Sequence, residues 1–417
     1  MTKRDDQASH PIEWDAVVLG LGGVGSFALR ALSLQRIRNP NMSILGIERF
    51  QRGHDHGSSH GQSRIYRRAY FEHPSYVPWI QFSIEQFQQL QKETNTPIIH
   101  ECGTLLMEPE GGEMIHNSLI AAKEHQIPTE FLDNALLRKR FPQFHHLDDT
   151  VGVFEPTGGL LRPENATCAA LAQAERNGAT IWENTVVKSI QEIKDEDGKV
   201  LHVEMVVKHQ DGGEQTVLAK TMLVAAGAWT SELIPSYAIH LRVIRQLQAW
   251  IDVSALGDQS ELYNSSSMPG FVISTPKWSK PLYGLPADDQ SDNALYKGSI
   301  KLGIHGREHD IDPNHNPTTI SPSEVEEMRG AVKAGLSLEV SDQPFSDIRP
   351  CMYTMTDDEH FIIGVPKGYQ SVCTVAGLSG HGFKMVPALG QMLADFATGK
   401  GLESWQAEFC SPARFGL

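Results

Sequence analysis

The sequence has few cysteines, a deficit of positive charge and no long apolar segment. Its five cysteines in 417 residues are scattered without a close pair, which argues against a disulfide framework or a cysteine-based zinc site. The 36 Lys and Arg against 51 Asp and Glu give a formal net charge of -15, which disfavours nucleic acid as a partner. The polar opening lacks the apolar core of a secretory signal, and no apolar run approaches the ~20 residues that span a bilayer. We therefore expect a cytoplasmic protein without membrane partners.

Helical and strand patterns alternate along a chain longer than one hydrophobic core usually serves. Amphipathic spacing predicts helices over 76–94 and 322–335 and a last helix with one apolar face. Three β-branched segments between 180 and 227 predict a strand meander. The pattern indicates an α/β fold with an α+β insert.

A glycine fingerprint stands where the first predicted strand meets the first predicted helix. Gly20, Gly22 and Gly25 form G-x-G-x-x-G, and Glu48 ends the next apolar run. The glycines allow a tight turn, a close approach of backbone amides to a pyrophosphate and close helix packing, while the acid can accept ribose hydroxyls. A tight turn without a ligand is the alternative. The fingerprint alone leaves FAD and NAD open, but a second glycine turn at Gly227 after a distant strand favours FAD.

Two lysines occur in patterns that suggest a function. Lys384 follows the glycine run GLSGHG and falls in the first turn predicted for the last helix, where the macrodipole disfavours a cation by ~0.3–1 kcal/mol. A substrate carboxylate or a reduced flavin could balance it. In the strand pattern of 296–306, Lys301 and His305 share the face opposite Ile300, Leu302 and Ile304. For both lysines the alternative is a side chain in solvent.

The segment 57–72 combines a glycine-serine loop with three arginines, at positions 64, 67 and 68. His54, His56 and His60 suggest a metal, but no fourth ligand is evident, and such loops more often wrap a cofactor. The arginines could neutralise surface acids or bind a carboxylate in fork geometry. No metal site is therefore predicted.

Cys351 lies in RPCMYTMTDDEHF, between an arginine and polar residues rather than among aliphatic ones. A cysteine in polar, partly cationic surroundings is the kind that ionises and reacts. The alternative is a thiol that only fills the core.

Five motifs occur in the order found in one family. The sequence resembles the monomeric sarcosine oxidase and N-methyltryptophan oxidase group of covalent flavoprotein amine oxidases, from about residue 13 to the C-terminal helix, through GSSHGQSRIYRRAY, AGAW, KLGIH, CMYTMTDDEHFII and GLSGHGFK. The resemblance implies a Rossmann-like FAD-binding domain with an inserted α+β substrate domain that carries an antiparallel sheet. The domains it implies are 1–98, 150–235 and 345–417 for FAD, and 99–149 and 236–344 for the substrate.

The resemblance also implies a role for each site residue. Cys351 would be joined through sulfur to the 8-methyl group of FAD. Arg67 and Lys384 would bind the substrate carboxylate, and Lys301 would stabilise the charge that forms on dioxygen. Arg64 would lie against the flavin ring, and the pocket would be shaped by His305, Tyr283 and Tyr353. The cofactor-binding residues would be Gly20, Gly22, Gly25, Glu48, Ser63, Val187, Gly227, Cys351, Gly380, Gly382 and Lys384.

The implied activity is oxidative demethylation of a secondary N-methyl amino acid to the amino acid, formaldehyde and hydrogen peroxide, by a monomer. Val272 and Gly364 replace the family's usual methionine and aspartate, which leaves the substrate open, including pipecolate- or proline-like rings. Other hypotheses are a flavin dehydrogenase that uses an electron carrier, a nucleotide-bound subunit without chemistry, and an NAD dehydrogenase.

Overall fold

The computed structural model describes residues 13–145, 148–291 and 293–417, with the side chain of residue 279 left out. The polar N-terminal segment, residues 1–12, lies outside the described residues. The α-helices of the described part are α1 (Gly23–Arg36), α2 (Val77–Thr94), α3 (Glu113–Glu124), α4 (Asn134–Arg140), α5 (Pro163–Arg176), α6 (Thr230–Leu233), α7 (Pro322–Gly335), α8 (Leu338–Ser341) and α9 (Val386–Ala397).

The strands of the described part form three sheets. They are β1 (Glu13–Leu19), β2 (Ile44–Ile47), β3 (Arg64–Tyr66), β4 (Ile99–Glu101), β5 (Thr104–Pro109), β6 (Glu130–Leu132), β7 (Thr150–Glu155), β8 (Gly159–Leu161), β9 (Thr180–Trp182), β10 (Thr185–Lys194), β11 (Val200–His209), β12 (Glu214–Val224), β13 (Arg242–Asp252), β14 (Gly270–Thr275), β15 (Trp278–Leu285), β16 (Ser299–Ile304), β17 (Asp347–Met355), β18 (Ile362–Gly364) and β19 (Val372–Ala376).

The first sheet has the order β10-β11-β12-β1-β2-β9, with β19 and β18 added beside β12. Strands β1, β2, β9, β12 and β19 are mutually parallel where they pair, and β10 to β12 form the predicted antiparallel meander. Helices α1, α2, α5 and α9 share one apolar core against this sheet. The strand, glycine turn, helix and second strand predicted at the N-terminal end are confirmed.

The second sheet has the order β17-β13-β16-β15-β14-β5-β7-β6 and is largely antiparallel, with β14 and β5 parallel. Helix α7, at the predicted position, packs Met328, Ala331 and Val332 into its core. The two-domain division stays a prediction. Strands β7 and β17 fall within the segments assigned to the FAD domain, but they pair with strands of this second sheet.

The last helix differs from the expected one-sided amphipathic element. Helix α9 is buried around most of its surface, because Gly390 lets it approach α1 so closely that an added Cβ would lie 2.6 Å from backbone atoms of Phe27 and Ala28. It begins at Val386, and Lys384 lies in the preceding 3₁₀ turn, Phe383–Met385. No helix among the described residues is long and apolar enough to cross a membrane.

Candidate active site

A cavity of about 470 Å³ is lined by residues of both large sheets and of the loops between them. Most of the residues predicted for the site line it. They are Gly20, Gly22, Glu48, Arg64, Arg67, Val187, Gly227, Tyr283, His305, Cys351, Tyr353, Gly380, Gly382 and Lys384. Gly25, Ser63 and Lys301 are not among the lining residues and contribute from behind the wall.

The glycine fingerprint forms a backbone turn that side chains would block. Gly20 has φ +82°, and a Cβ on Gly25 would lie 1.7 Å from the Gly20 carbonyl oxygen. At Gly22 an added Cβ would meet only Ser59 Oγ, at 3.5 Å. Gly25 therefore serves helix packing, whereas Gly22 leaves open space at the N-terminal end of α1, as an anion-binding turn requires.

Glu48 lies just after β2 and is 5% exposed. Its carboxylate accepts hydrogen bonds from the backbone amides of Leu21 (2.7 Å) and Phe50 (3.0 Å). Burial raises the pKa of this carboxyl, while the amide hydrogen bonds oppose the rise. Glu48 thus links the glycine turn to the second strand and faces the cavity, where it can accept ribose hydroxyls.

The Cys351 sulfur lines the cavity, and the side chain is 3% exposed. Burial alone would raise the pKa of this thiol, but His60, Arg64 and a hydrogen bond from Gln248 lower it to about 6. The other polar atoms of the two flanking side chains, His60 Nε2 and Gln248 Oε1, have no hydrogen-bond partner in the described part of the chain. Both atoms are shielded even from the open cavity, so they lie behind the sulfur and do not face a bound group.

Arg67 is 4% exposed and lies at the other end of the site. Its Nη2 donates to both carboxylate oxygens of Glu72, at 2.8 and 2.7 Å, and its guanidinium carbon lies 3.9 Å from the ring centroid of Phe71. Burial raises the pKa of the Glu72 carboxyl, but Arg67 and Lys384 lower it to about 2. The guanidinium is thus paired with a carboxylate of the chain itself through one nitrogen, while Nη1 donates to the Ala69 carbonyl oxygen, so the pair is not the two-nitrogen fork.

A hydrogen-bonded chain orients Lys384. Its Nζ donates to the His381 carbonyl oxygen (2.7 Å) and to Tyr70 Oη (3.3 Å). His381 Nε2 lies 3.0 Å from the Glu359 carbonyl oxygen, which can only accept, so Nε2 carries the proton of the neutral ring. Its Nδ1, 2.6 Å from Tyr70 Oη, must then accept from the hydroxyl. The directions of all these bonds are thereby fixed, and they aim the ammonium group at the cavity.

Opposing effects set the pKa of Lys384 and therefore its charge. Burial and Arg67 lower its pKa to about 7, and Glu72 opposes them. The position within a 3₁₀ turn removes the helix-dipole conflict expected from the sequence, since the cation is held by hydrogen bonds before α9 begins. The lysine is 7% exposed, so the alternative of a side chain in solvent is wrong.

Lys301 is 2% exposed and lies behind the cavity wall. Its Nζ donates to the carbonyl oxygens of Gly61 and Ser63, both at 2.7 Å, and lies 5.6 Å from the ring centroid of Trp250. Burial and the charge of Arg64 lower the pKa of Lys301 well below its ordinary value. Lys301 lies on the face of β16 that the strand pattern assigns to it, and that face is buried rather than exposed to solvent.

One imidazole and two phenol side chains also line the cavity. His305 and Tyr353 have ring centroids 5.6 Å apart, and Tyr283 fits over Gly303, where a Cβ would lie 2.4 Å from its ring. Burial lowers the pKa of His305 to about 4 and raises those of Tyr283 and Tyr353. All three groups are therefore neutral near pH 7 and can shape a pocket without adding charge.

Beyond Arg67 the cavity continues along an apolar wall of Phe71, Met114 and Val272. Glu108 also lines the cavity and accepts a hydrogen bond from the Ile115 amide at 2.5 Å. No motif or spacing in the sequence pointed to Glu108. Gly364, the other departure from the family pattern, is not among the cavity-lining residues, so it does not shape the pocket directly.

The three histidines suspected as ligands serve other contacts. His54 and His56 stack near Phe50, at 4.8 and 4.4 Å between ring centroids, while His60 lies beside Cys351. Within the described residues, no group of three or more His, Cys, Asp or Glu side chains is placed to hold a metal.

Sequence comparison identifies the family to which this arrangement belongs. Residues 15–396 match the model of the DAO family, FAD dependent oxidoreductase. The chain is a member of this family.

Its relatives include two kinds of amine oxidase. The chain is 31% identical to a monomeric sarcosine oxidase of Streptomyces avermitilis over 388 residues, which covers 92% of this chain and 93% of that protein. It is 28% identical to an N-methyl-L-tryptophan oxidase of Yersinia pestis over 407 residues, which covers 93% and 96%. The L-proline dehydrogenase structure from P. horikoshii shares the fold, with a TM-score of 0.76, 20% identity and coverage of 97% and 98%.

The residues present fit FAD. The glycine turn, Glu48 and Gly227 line the cavity, and so does Cys351, whose thiol pKa is lowered to about 6. The protein is an FAD-dependent oxidoreductase, and the predicted fold class and family are confirmed.

Proposed function

We propose that this protein oxidises a secondary N-methyl amino acid to an imine, which water hydrolyses to formaldehyde and the demethylated amino acid. FAD, when bound, would take two electrons and two protons from the amine and pass them to dioxygen, which becomes hydrogen peroxide. The observation that carries the proposal is the carboxylate of Glu72 at the cavity wall, which is paired with the buried Arg67 and whose pKa the charge of the buried Lys384 lowers further. A site that stabilises one carboxylate so strongly can bind that of an amino acid.

The chain contributes binding and orientation. Arg67 and Lys384 would fix the substrate carboxylate by charge-assisted hydrogen bonds, each worth about 1.5–3 kcal/mol. Neutral His305, Tyr283 and Tyr353 would leave the reacting amine without a competing charge. The apolar wall of Phe71, Met114 and Val272 would receive the substrate side chain.

Lys301 would serve the reaction with dioxygen. A buried cation held in place by two carbonyl acceptors stabilises negative charge that develops on oxygen without moving a proton. Arg64, held by the carbonyl oxygens of Ser63 and Ser58 at 2.8 and 2.9 Å, would add positive charge on the same side of the site.

An anaerobic screen tests the amine chemistry. N-methyl amino acids and cyclic secondary amino acids are mixed with the flavin-loaded protein under nitrogen, and bleaching of the flavin spectrum is recorded. We expect bleaching with an N-methyl amino acid and, in air, equal amounts of formaldehyde and peroxide. Bleaching by ring substrates alone would replace the demethylase with an oxidase of pipecolate- or proline-like compounds, and no bleaching by any of them would refute the proposal.

We propose that FAD is bound covalently through Cys351. The support is a thiol with a lowered pKa at the cavity wall beside His60 and Arg64. Acid-precipitated protein should stay yellow, while Cys351→Ala should release all its flavin and Cys373→Ala, at a buried thiol whose pKa burial raises to about 12, should not. Colourless pellets from fully loaded wild-type protein would contradict the link.

The remaining proposals concern assembly and location. The name of the sarcosine oxidase relatives supports a monomer, which sedimentation of the flavin-loaded protein would test. The cytoplasmic location stays a prediction from the sequence, and fractionation of cells with an antibody to the protein would test it.

A further inference from the structure

The two carbonyl groups that hold Lys301 belong to an unusual turn, residues 61–63. The Ser63 amide donates to the Gly61 carbonyl oxygen at 2.8 Å, and Gln62 between them has φ +68°. A bond from residue i+2 back to residue i around a positive φ is the pattern of a strained γ-turn. Gly61 itself has φ +92°, and a Cβ there would lie 1.7 Å from Gln248 Oε1. The turn therefore needs support from outside its own sequence.

Glu164 supplies that support from the first turn of α5. Its Oε1 accepts from the backbone amides of Gly61 (2.6 Å) and Gln62 (3.0 Å), and its Oε2 lies 3.2 Å from the Gln62 amide. The N–H of Gly61 thus donates to Glu164 while its C=O accepts from Lys301. The Gly61 backbone therefore links the Glu164 carboxylate to the Lys301 ammonium group through two hydrogen bonds.

The charges around Lys301 come from three elements. Arg64 on β3 adds a like charge that lowers the pKa of Lys301, whereas Glu164 on α5 and the Cys351 sulfur on β17 raise it. The cavity-wall sulfur would lose its charge on forming a thioether with the flavin. Glu164 would then be the remaining anion among these three neighbours.

We propose that Glu164 is a positioning residue for the reaction with oxygen: it holds the 61–63 turn so that two carbonyl oxygens aim at Lys301, and its negative charge keeps that lysine protonated. This inference rests on the proposed role of Lys301. It assigns a function to an acid outside the cavity, 103 positions from the turn that it supports.

The direct test is the titration of Lys301 in the flavin-loaded protein. Lysine is labelled with ¹³C at Cε, and the Lys301 signal is identified by its loss in Lys301→Met. Glu164→Gln keeps an oxygen that can accept from the turn but removes the charge, so the Lys301 pKa should fall by about one unit. Glu175→Gln, in the last turn of the same helix where Glu175 pairs with Arg52, should leave it unchanged. An unchanged Lys301 pKa in Glu164→Gln would overturn the proposal.

The functional test needs no amine substrate. Protein reduced with dithionite is mixed with oxygen, and the rate of flavin reoxidation is followed against pH. Lys301 is protonated only below its pKa, so the rate should fall as pH rises through that value. In Glu164→Gln the fall should begin about one unit lower, a roughly tenfold slower reaction at higher pH.

The outcomes separate the two proposals. A shifted Lys301 titration with an unshifted oxygen profile would overturn the link between Glu164 and oxygen, together with the role of Lys301, and would leave the amine chemistry standing. If Glu164→Gln fails to bind flavin, Glu164→Asp keeps the charge on a shorter side chain. That variant should hold the Lys301 titration near the wild-type value, and a shift as large as one unit would count against a charge effect.

Discussion

Lys301 and Lys384 are both buried lysines, but the structure holds them in opposite ways. Lys384 lines the cavity, donates to a hydroxyl and a carbonyl oxygen and has the Glu72 carboxylate among its neighbours. Lys301 lies behind the wall and is bound by two peptide carbonyls. A cation next to a side-chain carboxylate can bind a ligand carboxylate in its place. A cation held by backbone carbonyl groups keeps its position throughout a reaction. The difference separates a binding role from an electrostatic one.

The most severe loss should follow removal of Lys301, the lysine that backbone carbonyls hold in place. Lys301→Met should slow reoxidation of the reduced flavin by ~10²–10³-fold, the usual effect of deleting one preorganised charge-stabilising group. Flavin reduction by substrate under nitrogen should change far less. Stopped-flow measurement of both half-reactions checks this, with Lys297→Met on the neighbouring exposed segment as the control. Equal losses in both half-reactions would contradict the separation.

The converse change removes the accessible cation. Lys384→Met should lower kcat/KM for the N-methyl amino acid by about 10- to 100-fold, since one charge-assisted hydrogen bond to the carboxylate is lost. The reaction of reduced flavin with oxygen should stay within a factor of about three, because Lys301 is untouched. A large loss in the oxygen step would show that the two lysines share one function.

Discrimination between substrate side chains should depend on the apolar wall of Phe71, Met114 and Val272 next to Arg67 rather than on either lysine. Val272→Met narrows this wall and should shift the ratio of kcat/KM for sarcosine over N-methyltryptophan by about tenfold towards sarcosine, as a change of pocket volume does. Val200→Met on β11 of the first sheet is the control. An unchanged ratio would place the side chain elsewhere in the cavity.

The smallest expected effect concerns pH. Because the pKa of Lys384 is lowered to about 7, the ammonium is charged below that pH, and carboxylate binding should weaken as pH rises through 7. Methylthioacetate has no titratable amine, so its effect on the flavin spectrum isolates this step. In Glu72→Gln the midpoint should move lower, since the anion that favours the charged lysine is gone, and binding below pH 6 should tighten by about 3- to 10-fold as Arg67 is freed. An unmoved midpoint would separate Glu72 from Lys384.

The site could be predicted where its signal is local in the chain. Gly20, Gly22 and Glu48 follow from strand, turn and helix patterns within 30 residues. Glu72 could have been predicted as a partner of Arg67, because it lies five residues from Arg67 in the segment that carries the arginines. The residue pattern left surface acids and a bound carboxylate open as partners of the arginines, and the family resemblance gave Arg67 a substrate carboxylate without identifying Glu72.

Other partners could not be found this way. His60 and Gln248 meet at the sulfur of Cys351, and the His381 ring that orients Lys384 is 311 positions from the tyrosine it binds. Neither pair shares a strand or helix, so no periodicity relates its members. Their contacts depend on tertiary packing, which brings loops far apart in the chain together.

The α/β class, the nucleotide turn and the identity of the chemical groups follow from the sequence, because backbone preferences and hydrophobic periodicity act over a few residues. Which charges are buried, which carboxylate faces which cation and which carbonyls hold Lys301 become visible only in the folded chain. Those are properties of long-range packing, because burial and neighbouring charges shift the pKa of a group away from the value that its chemical identity gives.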